Sequence, residues 1–466
     1  MSITIPPGPF SRRTPATPAA KRALGSGAAG SVLEWFDFAV YGAMSATVFP
    51  IIFFSDQDPA VATLLSFATF GVGIFARPLG AVIFGYFGDR IGRRTVLLTT
   101  FLMMGASSIV IGLLPGYANI GFVAPLLLVV MRCLQGFALG GEATGAQLMT
   151  MEHAPGDRRA FYASLMSLGS PASQVLANGV LALLTAVLTH DQFYSWGWRL
   201  PFLLSVLLVM VGIYIRIKVE ESPIFAEELD AEAEVGAVAG AEAQARTLTV
   251  LRDQWATILR MILAYAPIVV TFYVISVFGI NYLTTRVGLT DNQAFTIIMV
   301  SNLLSVGAIA LGGRFADSYG RIRILLIGGI GCLVGAFVFF PVADTGNFWA
   351  ILIVVSLILM LAQFGNASTG TLFAEAFPTR QRYTASALSL TGSTLFFAAP
   401  APFFATWLMA VSDGSTLPLT IIWVGIIVAA IVNLLLMREG NTLEGEPQRF
   451  RGSRVPDAAL PTVGVR

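Results

Sequence analysis

Five ionisable side chains lie inside long apolar stretches of the sequence: Glu34, Asp37, Arg77, Arg132 and Glu142. A charge within the hydrocarbon of a bilayer costs at least about 2.5–3.5 kcal/mol, so such residues are candidates for function. Carboxylates can exchange protons, and the planar guanidinium group of arginine offers paired donors to a carboxylate ligand. The residue types therefore predict proton exchange combined with binding of a small anion. The alternative is a purely structural network of ion pairs.

Two helical faces collect most of these charges. The residues of these faces are Glu34, Asp37 and Tyr41 in the first apolar stretch, and Arg132, Gln135 and Glu142 in the fourth. At a rise of about 1.5 Å per residue, Asp37, Arg77 and Arg132 all lie near mid-depth of their stretches. Exposure of these charged faces to lipid would cost free energy, so we expect both faces to turn toward the interior of a helical bundle.

The roles follow from the chemistry of each side chain. We expect Asp37 and Glu142 to exchange the coupled proton, together with Glu34, and we expect Arg77 and Arg132 to bind the substrate. Further substrate-binding candidates, which supply hydrogen bonds, are Tyr41, Gln135, Tyr282, Asn302 and Gln363. For the amides of the second half, polar packing between helices is the alternative interpretation.

The elements that carry these residues are twelve apolar stretches, each of about 20 residues or more, the length that spans a bilayer. They lie near 26–51, 62–87, 95–114, 121–149, 160–189, 199–218, 256–284, 292–312, 322–341, 348–373, 383–411 and 417–437. Of the 466 residues, 56% are apolar and 12% are charged, too few polar residues to cover a soluble protein. The sequence therefore predicts an all-α integral membrane protein.

The basic residues set the orientation of this chain. All but four of the 28 lie on one side of the twelve-span arrangement, and an excess of lysine and arginine marks the cytoplasmic side. Both termini are therefore predicted to be cytoplasmic. The predicted divisions are a disordered cytoplasmic tail (1–24), a six-helix bundle (25–218), a cytoplasmic loop (219–255), a second six-helix bundle (256–437) and a cytoplasmic tail (438–466).

A loop motif occurs once in each half, as GYFGDRIGRR and as GRFADSYGRIR. Its residues are Gly85, Asp89, Arg90, Gly92 and Arg93 in the first copy, and Gly313, Asp317, Gly320 and Arg321 in the second. The glycines permit neighbouring helices to approach closely, and the aspartate can meet the N-terminus of a facing helix or a nearby arginine. We predict a clasp that closes the cytoplasmic face in one state; the alternative is a plain topology signal.

Several function classes are disfavoured. A net charge of +1 gives no reason to expect nucleic-acid binding. Cys133 and Cys332 lie in apolar runs and support neither a disulfide nor a thiol metal site. The sequence offers no nucleophile with a base and no metal cluster, so we expect no enzyme. We expect no metal and no cofactor apart from the proton, and a monomer whose partners are its substrate and the bilayer.

The order of the motifs is more specific than any one of them. EWFDFAVYG, RPLGAVIFGYFGDRIGRR, RCLQGFALGGEATGA, WGWRLPFLLS, EESPIF and AEAFPTRQRYTASALS together resemble the metabolite:proton symporter family of the major facilitator superfamily, over about residues 25–437. The resemblance implies twelve helices in two bundles, alternating access, and symport of small carboxylates or zwitterions with protons. It also implies that Asp37, Arg77, Arg132 and Glu142 lie near the substrate and proton path.

We expect a multi-pass importer of a small organic anion in a bacterial inner membrane. Such an anion is a di- or tricarboxylate, a 2-oxo acid or a shikimate-like acid. An inside-negative potential opposes anion entry by about 2.3 kcal/mol per charge per 100 mV, and co-transported protons would offset that cost. Two alternatives stay open. One is a proline- or betaine-type zwitterion symporter in which Trp35 or Phe38 faces the ammonium group. The other is a sugar facilitator.

Overall fold

The computed structural model describes residues 18–91, 93–140, 159–207, 210, 239–378, 381–438 and 449–450. In chain order the α-helices are α1 (Pro18–Thr47), α2 (Phe49–Phe53), α3 (Pro59–Ile91), α4 (Arg93–Leu113), α5 (Tyr117–Ile120), α6 (Val123–Leu139), α7 (Arg159–Met166), α8 (Gly169–Val187), α9 (His190–Ser195), α10 (Ala239–Tyr273), α11 (Gly279–Asn281), α12 (Asp291–Tyr319), α13 (Arg321–Ala343), α14 (Phe348–Asn366), α15 (Thr369–Ala376), α16 (Arg382–Ser393), α17 (Ala401–Val411) and α18 (Leu417–Leu436).

Shorter elements complete the described chain. A 3₁₀ turn occupies Gly197–Arg199, and π-helical segments occupy Val274–Phe278, Tyr282–Arg286 and Thr394–Ala398. After α18, a two-residue strand β1 (Met437–Arg438) pairs antiparallel with β2 (Arg449–Phe450). The molecule is otherwise built from helices, as predicted.

Within the described residues, a helix lies in each of the twelve predicted spans. Eight helical stretches are long and apolar enough to cross a membrane, and three shorter apolar helices (Thr99–Leu113, Val123–Leu139 and Gly197–Leu207) fill further predicted positions. The first span corresponds to α1. Many large apolar side chains, such as Leu183 and Trp349, are exposed on the outside of the helices. In water such a surface would be unfavourable, and in a bilayer it faces hydrocarbon.

Two helices begin outside the predicted spans. Helix α1 begins at Pro18, within the tail predicted to be disordered, and α10 begins at Ala239, within the predicted cytoplasmic loop. Proline fits the first turn of a helix because its missing N–H would have no partner there. The run that opens α10 (AGAEAQAR) is rich in alanine, glutamate and glutamine, which have high helix propensity. Hydrophobicity marks where a helix meets lipid, and it does not mark where the helix starts.

Glycines bring α3 and α6 into backbone contact. A Cβ atom built on Gly136 would lie 1.8 Å from the carbonyl oxygen of Gly73, and a Cβ atom on Gly73 would lie 2.6 Å from Arg132 Nε. Small residues allow such close crossings between helices in a membrane. The crossing sets the Arg132 side chain of α6 directly against the backbone of α3, the helix that carries Arg77.

Three hydrogen bonds, which we call the outer clasp, join the two halves at the end that the charge distribution places outside the cell. They run from Tyr194 Oη to Asp291 Oδ2 (2.9 Å), from Asn281 Nδ2 to the Ala46 carbonyl (2.7 Å) and from Asn292 Nδ2 to the Ala182 carbonyl (2.6 Å). Burial and the Asp291 carboxylate raise the pKa of Tyr194, so its phenol stays protonated and donates at physiological pH.

The inner clasp lies at the opposite end and is formed by Asp317 of the second loop motif. Its carboxylate oxygens accept hydrogen bonds from the backbone amides of Ala160 (2.8 Å) and Phe161 (3.1 Å), which begin α7. The Arg314 guanidinium lies 5.1 Å from the ring centroid of Phe161. The free amides and the dipole of a helix N-terminus favour a carboxylate there. The two halves are therefore held together at both ends.

The remaining residues of the second motif copy support this contact. A Cβ atom on Gly313 would lie 2.3 Å from Ser164 Oγ, so glycine permits α12 to pack against α7. Gly320 ends α12 with a φ of 97°, and Arg321 forms an ion pair of 2.8 Å with Glu375. Several predicted residues lie outside the part of the chain whose side chains are described: Glu34, Gly85, Asp89, Arg90, Gly92, Arg93 and Glu142.

The glycine crossing gives a first prediction. Gly136→Ala should separate α3 from α6, because the new Cβ atom would overlap the Gly73 carbonyl oxygen. Overpacking of this kind costs about 1–3 kcal/mol. We expect a lower midpoint of thermal unfolding and loss of transport in proteoliposomes. Gly425→Ala is the control, since a Cβ atom there would meet nothing within 4 Å. Equal midpoints for the two variants would contradict the proposed backbone contact.

The clasps give a second prediction, in which two variants act in opposite directions. Asp317→Ala removes both acceptor bonds of the inner clasp, and Tyr194→Phe removes one charge-assisted bond of the outer clasp. Hydrogen bonds to charged groups contribute about 1.5–3 kcal/mol, enough to change the population of an open state about tenfold.

Spin labels measure this shift, in a background without Cys133 and Cys332. Labels at the exposed positions Phe87 and Tyr319 report the inner end, and labels at Val187 and Trp349 report the outer end. Asp317→Ala should lengthen only the inner distance, and Tyr194→Phe only the outer distance. Identical distance changes in both variants would refute the assignment.

Candidate functional site

Asp37 lies on α1 in the interior of the first half, and its side chain is only 4% exposed. Ser108 Oγ of α4 donates a hydrogen bond of 2.6 Å to Asp37 Oδ2, and Ser205 Oγ donates to Asp37 Oδ1. Both carboxylate oxygens are therefore held by hydroxyl groups from other helices. A buried carboxylate needs such donors, because the apolar surroundings supply no water to solvate it.

A chain of hydrogen bonds connects Asp37 to Arg132. Arg132 Nη1 donates to Gln135 Oε1 (3.2 Å), Gln135 Nε2 donates to Ser108 Oγ (2.6 Å), and Ser108 Oγ donates to Asp37. All three of these hydrogen bonds are donated in the same direction, from the guanidinium toward the carboxylate. Bonds aligned in this way polarise one another in a medium of low dielectric constant. A change of charge at Asp37 therefore alters the electrostatic stabilisation of the Arg132 cation.

The Arg132 guanidinium is buried among aromatic rings and is 1% exposed. Its Cζ atom lies 4.0 Å from the ring centroid of Tyr41, 4.6 Å from that of Phe38 and 5.2 Å from that of Phe70. The ring faces stabilise the cation by cation–π attraction. Two of its donor atoms, Nε and Nη2, have no hydrogen-bond partner among the described residues. Unpaired donors on a buried cation are costly, so this arrangement favours an acceptor that arrives with a ligand.

Arg77 of α3 brings a second guanidinium to the same rings. Its Cζ atom lies 4.8 Å from the ring centroid of Phe38 and 5.5 Å from that of Trp35. Its Nε atom also has no partner within the described part of the chain. Phe38 is therefore in contact with both cations. The arrangement brings a buried and a partly buried positive charge together, and such a pair attracts an anion more strongly than an exposed pair would.

The predicted residues of the second half are distributed differently. Tyr282 donates to Asp344 Oδ1 beside a cavity of about 420 Å³, which Arg286 also lines, near the outer end of the molecule. Asn302 Nδ2 donates to the Ile298 carbonyl of its own helix (2.9 Å). Gln363 Oε1 accepts a bond of 2.8 Å from Asn366 Nδ2. The structure thus brings Asp37, Tyr41, Arg77, Arg132 and Gln135 together, and it places Tyr282 in a separate outer cavity.

Several residues of this site were not predicted. They are Phe70 as a ring partner, Ser108 and Ser205 as donors to Asp37, and Tyr273 of α10. Trp35 and Phe38 were considered only as partners of a substrate ammonium group, and in the structure they contact a guanidinium group. The motif EWFDF signals the aromatic residues, because two rings flank the buried aspartate. Serines in an apolar helix give no comparable signal. Within the described residues, no group of three His, Cys, Asp or Glu side chains forms a metal-binding cluster.

Comparison with known proteins identifies the family. A model of the Major Facilitator Superfamily matches residues 29–398 and 261–461. The inner membrane metabolite transport protein YhjE of Escherichia coli K12 is 39% identical, over 81% of this chain and 86% of YhjE. The shikimate transporter of the same organism is 34% identical, over 90% of this chain and 94% of that transporter. The glycine betaine/proline/ectoine/pipecolic acid transporter OusA of Dickeya dadantii is 33% identical, over 90% of this chain and 84% of OusA.

Solved structures agree on the fold. A crystal structure of a D-xylose-proton symporter matches 89% of this chain and 97% of its own, with a TM-score of 0.69 and 17% sequence identity. At this sequence identity, the similarity shows a shared fold and does not indicate the substrate. The twelve helices, the paired loop motifs and the close relatives lead to one conclusion. The chain belongs to the metabolite:proton symporter family of the major facilitator superfamily, and it is a multi-pass membrane transporter of small metabolites rather than an enzyme.

Proposed function

We propose that this transporter carries a small organic anion together with protons, by alternating access and as a monomer in a bacterial inner membrane. One observation carries the proposal. Two neighbouring guanidinium groups have donors without a partner in the described part of the protein, and a series of hydrogen bonds connects one of these groups to a buried carboxylate. The unpaired donors of Arg132 and Arg77 supply the binding site for a substrate carboxylate, whose planar geometry matches that of guanidinium.

Proton and substrate binding are coupled through the charge of Asp37. When Asp37 is ionised, its negative charge partly balances Arg132 through Gln135 and Ser108. Protonation removes this charge and leaves the Arg132 cation uncompensated in a medium of low dielectric constant. The attraction of Arg132 for an anion then rises, and the arriving anion restores the balance. Proton and anion thus favour each other's binding, as symport requires.

An anion explains the ring contacts better than a zwitterion does. A quaternary ammonium group binds over open aromatic faces. Phe38 and Tyr41 already have a guanidinium carbon of Arg132 within 4.6 Å and 4.0 Å of their ring centroids. The buried cation of Arg132 and the partly buried cation of Arg77 would also repel an ammonium group. The zwitterion alternative keeps support from relatives such as the OusA transporter, whose name includes glycine betaine and proline.

Asp37→Asn provides the third prediction. The amide mimics the protonated acid and cannot exchange a proton, so uptake driven by an imposed pH gradient in proteoliposomes should fall at least about tenfold. Exchange of substrate across the membrane without a gradient should persist. Wild-type affinity should weaken as the pH rises, because Asp37 ionises, and the affinity of Asp37→Asn should not.

The matched control for this variant is Asp58→Asn. Asp58 lies in an exposed loop, and its Oδ1 accepts a bond from the amide of Ala60, which asparagine can also accept. Asp58→Asn should therefore behave as wild type. Wild-type uptake that is insensitive to the pH gradient and to an uncoupler would refute the proton coupling, as would undiminished gradient-driven uptake by Asp37→Asn.

Ligand preference gives the fourth prediction. Shikimate or succinate should raise the midpoint of thermal unfolding of the purified protein, and glycine betaine and xylose should not. Binding stabilises the folded state by about 2.7 kcal/mol at a concentration one hundred times the dissociation constant, which is readily measured as a shift in midpoint. Arg132→Lys should reduce the carboxylate response, because the ammonium group is a point charge without a planar fork. Stabilisation by betaine alone would favour the zwitterion alternative.

A further inference from the structure

Tyr273 has a buried hydroxyl group without a partner. The residue is 4% exposed, and its Oη atom makes no hydrogen bond within the described part of the chain. It ends α10 and so belongs to the second half, whereas the residues that bind the proton and the arginines belong to the first. A buried hydroxyl that lacks a partner costs free energy, and the cost is recovered when a ligand supplies one.

The ring of Tyr273 lies at the arginine site. Its centroid is 5.9 Å from that of Phe70 and 6.1 Å from that of Phe38, and both of those rings contact the Arg132 guanidinium. Both guanidinium groups, of Arg77 and Arg132, are close enough to act electrostatically on the phenol. Tyr273 therefore brings a phenol from the second half to the aromatic cluster that surrounds the Arg132 guanidinium.

The atoms of this cluster that lack a hydrogen-bond partner among the described residues have a common chemistry. Arg132 Nε, Arg132 Nη2 and Arg77 Nε can only donate, and the Tyr273 hydroxyl can donate as well. Such a set of donors in one cluster suits a ligand with several lone pairs. A carboxylate has two oxygens with about four lone-pair sites, so one such group can satisfy donors from both halves.

We propose that Tyr273 donates the second half's hydrogen bond to the substrate carboxylate, so that the bound anion connects the two halves at mid-depth. This inference rests on the proposed anion transport and adds to it a residue that determines specificity. The anion then closes the space between the inner and the outer clasp, and a ligand without a carboxylate leaves the phenol unpaired.

The helix at this position is built to respond to such a contact. Tyr273 immediately precedes the π-helical segment Val274–Phe278, and Pro267 lies six residues before it in α10. Prolines and π-helical turns are the usual positions at which a helix bends. Within the π segment, the hydroxyl of Ser276 is also buried and unpaired in the described chain. A hydrogen bond from the ligand to Tyr273 therefore acts on α10 at the place where the helix is most easily bent.

Tyr273→Phe tests the proposal, because it keeps the ring contacts and removes only the hydroxyl group. Binding of shikimate and succinate is measured by calorimetry on the purified full-length chain. The lost bond is charge-assisted, so we expect the dissociation constant of these acids to rise about 10- to 100-fold. Tyr265→Phe is the control. Tyr265 lies on the same helix with its ring 6.0 Å from that of Phe373, and its removal should leave the constant unchanged.

A second measurement separates a direct contact from a general structural effect. The methyl ester of shikimate lacks the carboxylate charge, so wild type should prefer the acid over the ester more strongly than Tyr273→Phe does. An equal preference in both proteins would overturn the role of Tyr273. Replacement of Tyr273 by 3-fluorotyrosine, a more acidic phenol of nearly the same size, should strengthen acid binding, and weaker binding would also overturn it.

The outcomes distinguish this inference from the proposed function. If wild type binds none of the carboxylates, both the anion transport and the role of Tyr273 are refuted. If wild type binds them and Tyr273→Phe binds them equally well, only the role of Tyr273 is refuted. If Tyr273→Phe binds less tightly, unfolds at the same midpoint without ligand and still responds to pH through Asp37, the proposal is supported.

Discussion

A positive charge that is buried among aromatic rings, with no ion-pair partner among the described residues, is the constraint on which the site depends. Arg132 is stabilised by ring faces and by one bond to Gln135, and two of its donors stay unpaired among the described residues. Such a group is costly in a low-dielectric interior unless something compensates its charge. Asp37 supplies part of this compensation from a distance, through two intermediate side chains. A bound anion can supply the rest of the compensating negative charge. The site is therefore stable enough to fold and still has donors available for a ligand.

The helical framework determines where that charge lies. Close contact between α3 and α6 at Gly73 and Gly136 leaves the Arg132 side chain no room on one flank, and the rings of Phe38 and Tyr41 confine it on another. The clasps at the two ends use bonds that are individually modest. The same molecule therefore combines a closely packed site in its first half with an interface between the halves whose two ends are joined by a few hydrogen bonds. A carrier needs both properties, because the site must keep its geometry while access to it changes.

Sequence reasoning identified the first-half site because burying a charge in lipid is so unfavourable that each instance is informative. Asp37, Arg77 and Arg132 were found in this way, and their approach in space followed from depth and helical periodicity. The partners of Asp37 were not predictable, since Ser108 and Ser205 lie in helices that are apolar on all sides and give no facing pattern. In the second half, Tyr273 was not singled out, because it lies in a helix segment that is apolar on all sides and gives no facing pattern. Each π-helical turn also inserts an extra residue, so a count of 3.6 residues per turn does not predict the face of residues after Val274. The starts of α1 at Pro18 and of α10 at Ala239 were not predicted, because an apolar composition indicates which residues contact lipid and does not indicate where a helix begins.

Apart from the bond between Tyr194 and Asp291, the hydrogen bonds of the two clasps share a feature with an evolutionary consequence. Asp317 binds the backbone amides of Ala160 and Phe161, and Asn281 and Asn292 bind the backbone carbonyls of Ala46 and Ala182. In each of these contacts only one of the two residues contributes a side chain. The residue that contributes a backbone atom can change its side chain without losing the hydrogen bond. Selection for the bond therefore constrains the side chain of only one residue in each pair. The clasps can therefore be kept while the residues around Arg132 change to bind a different substrate.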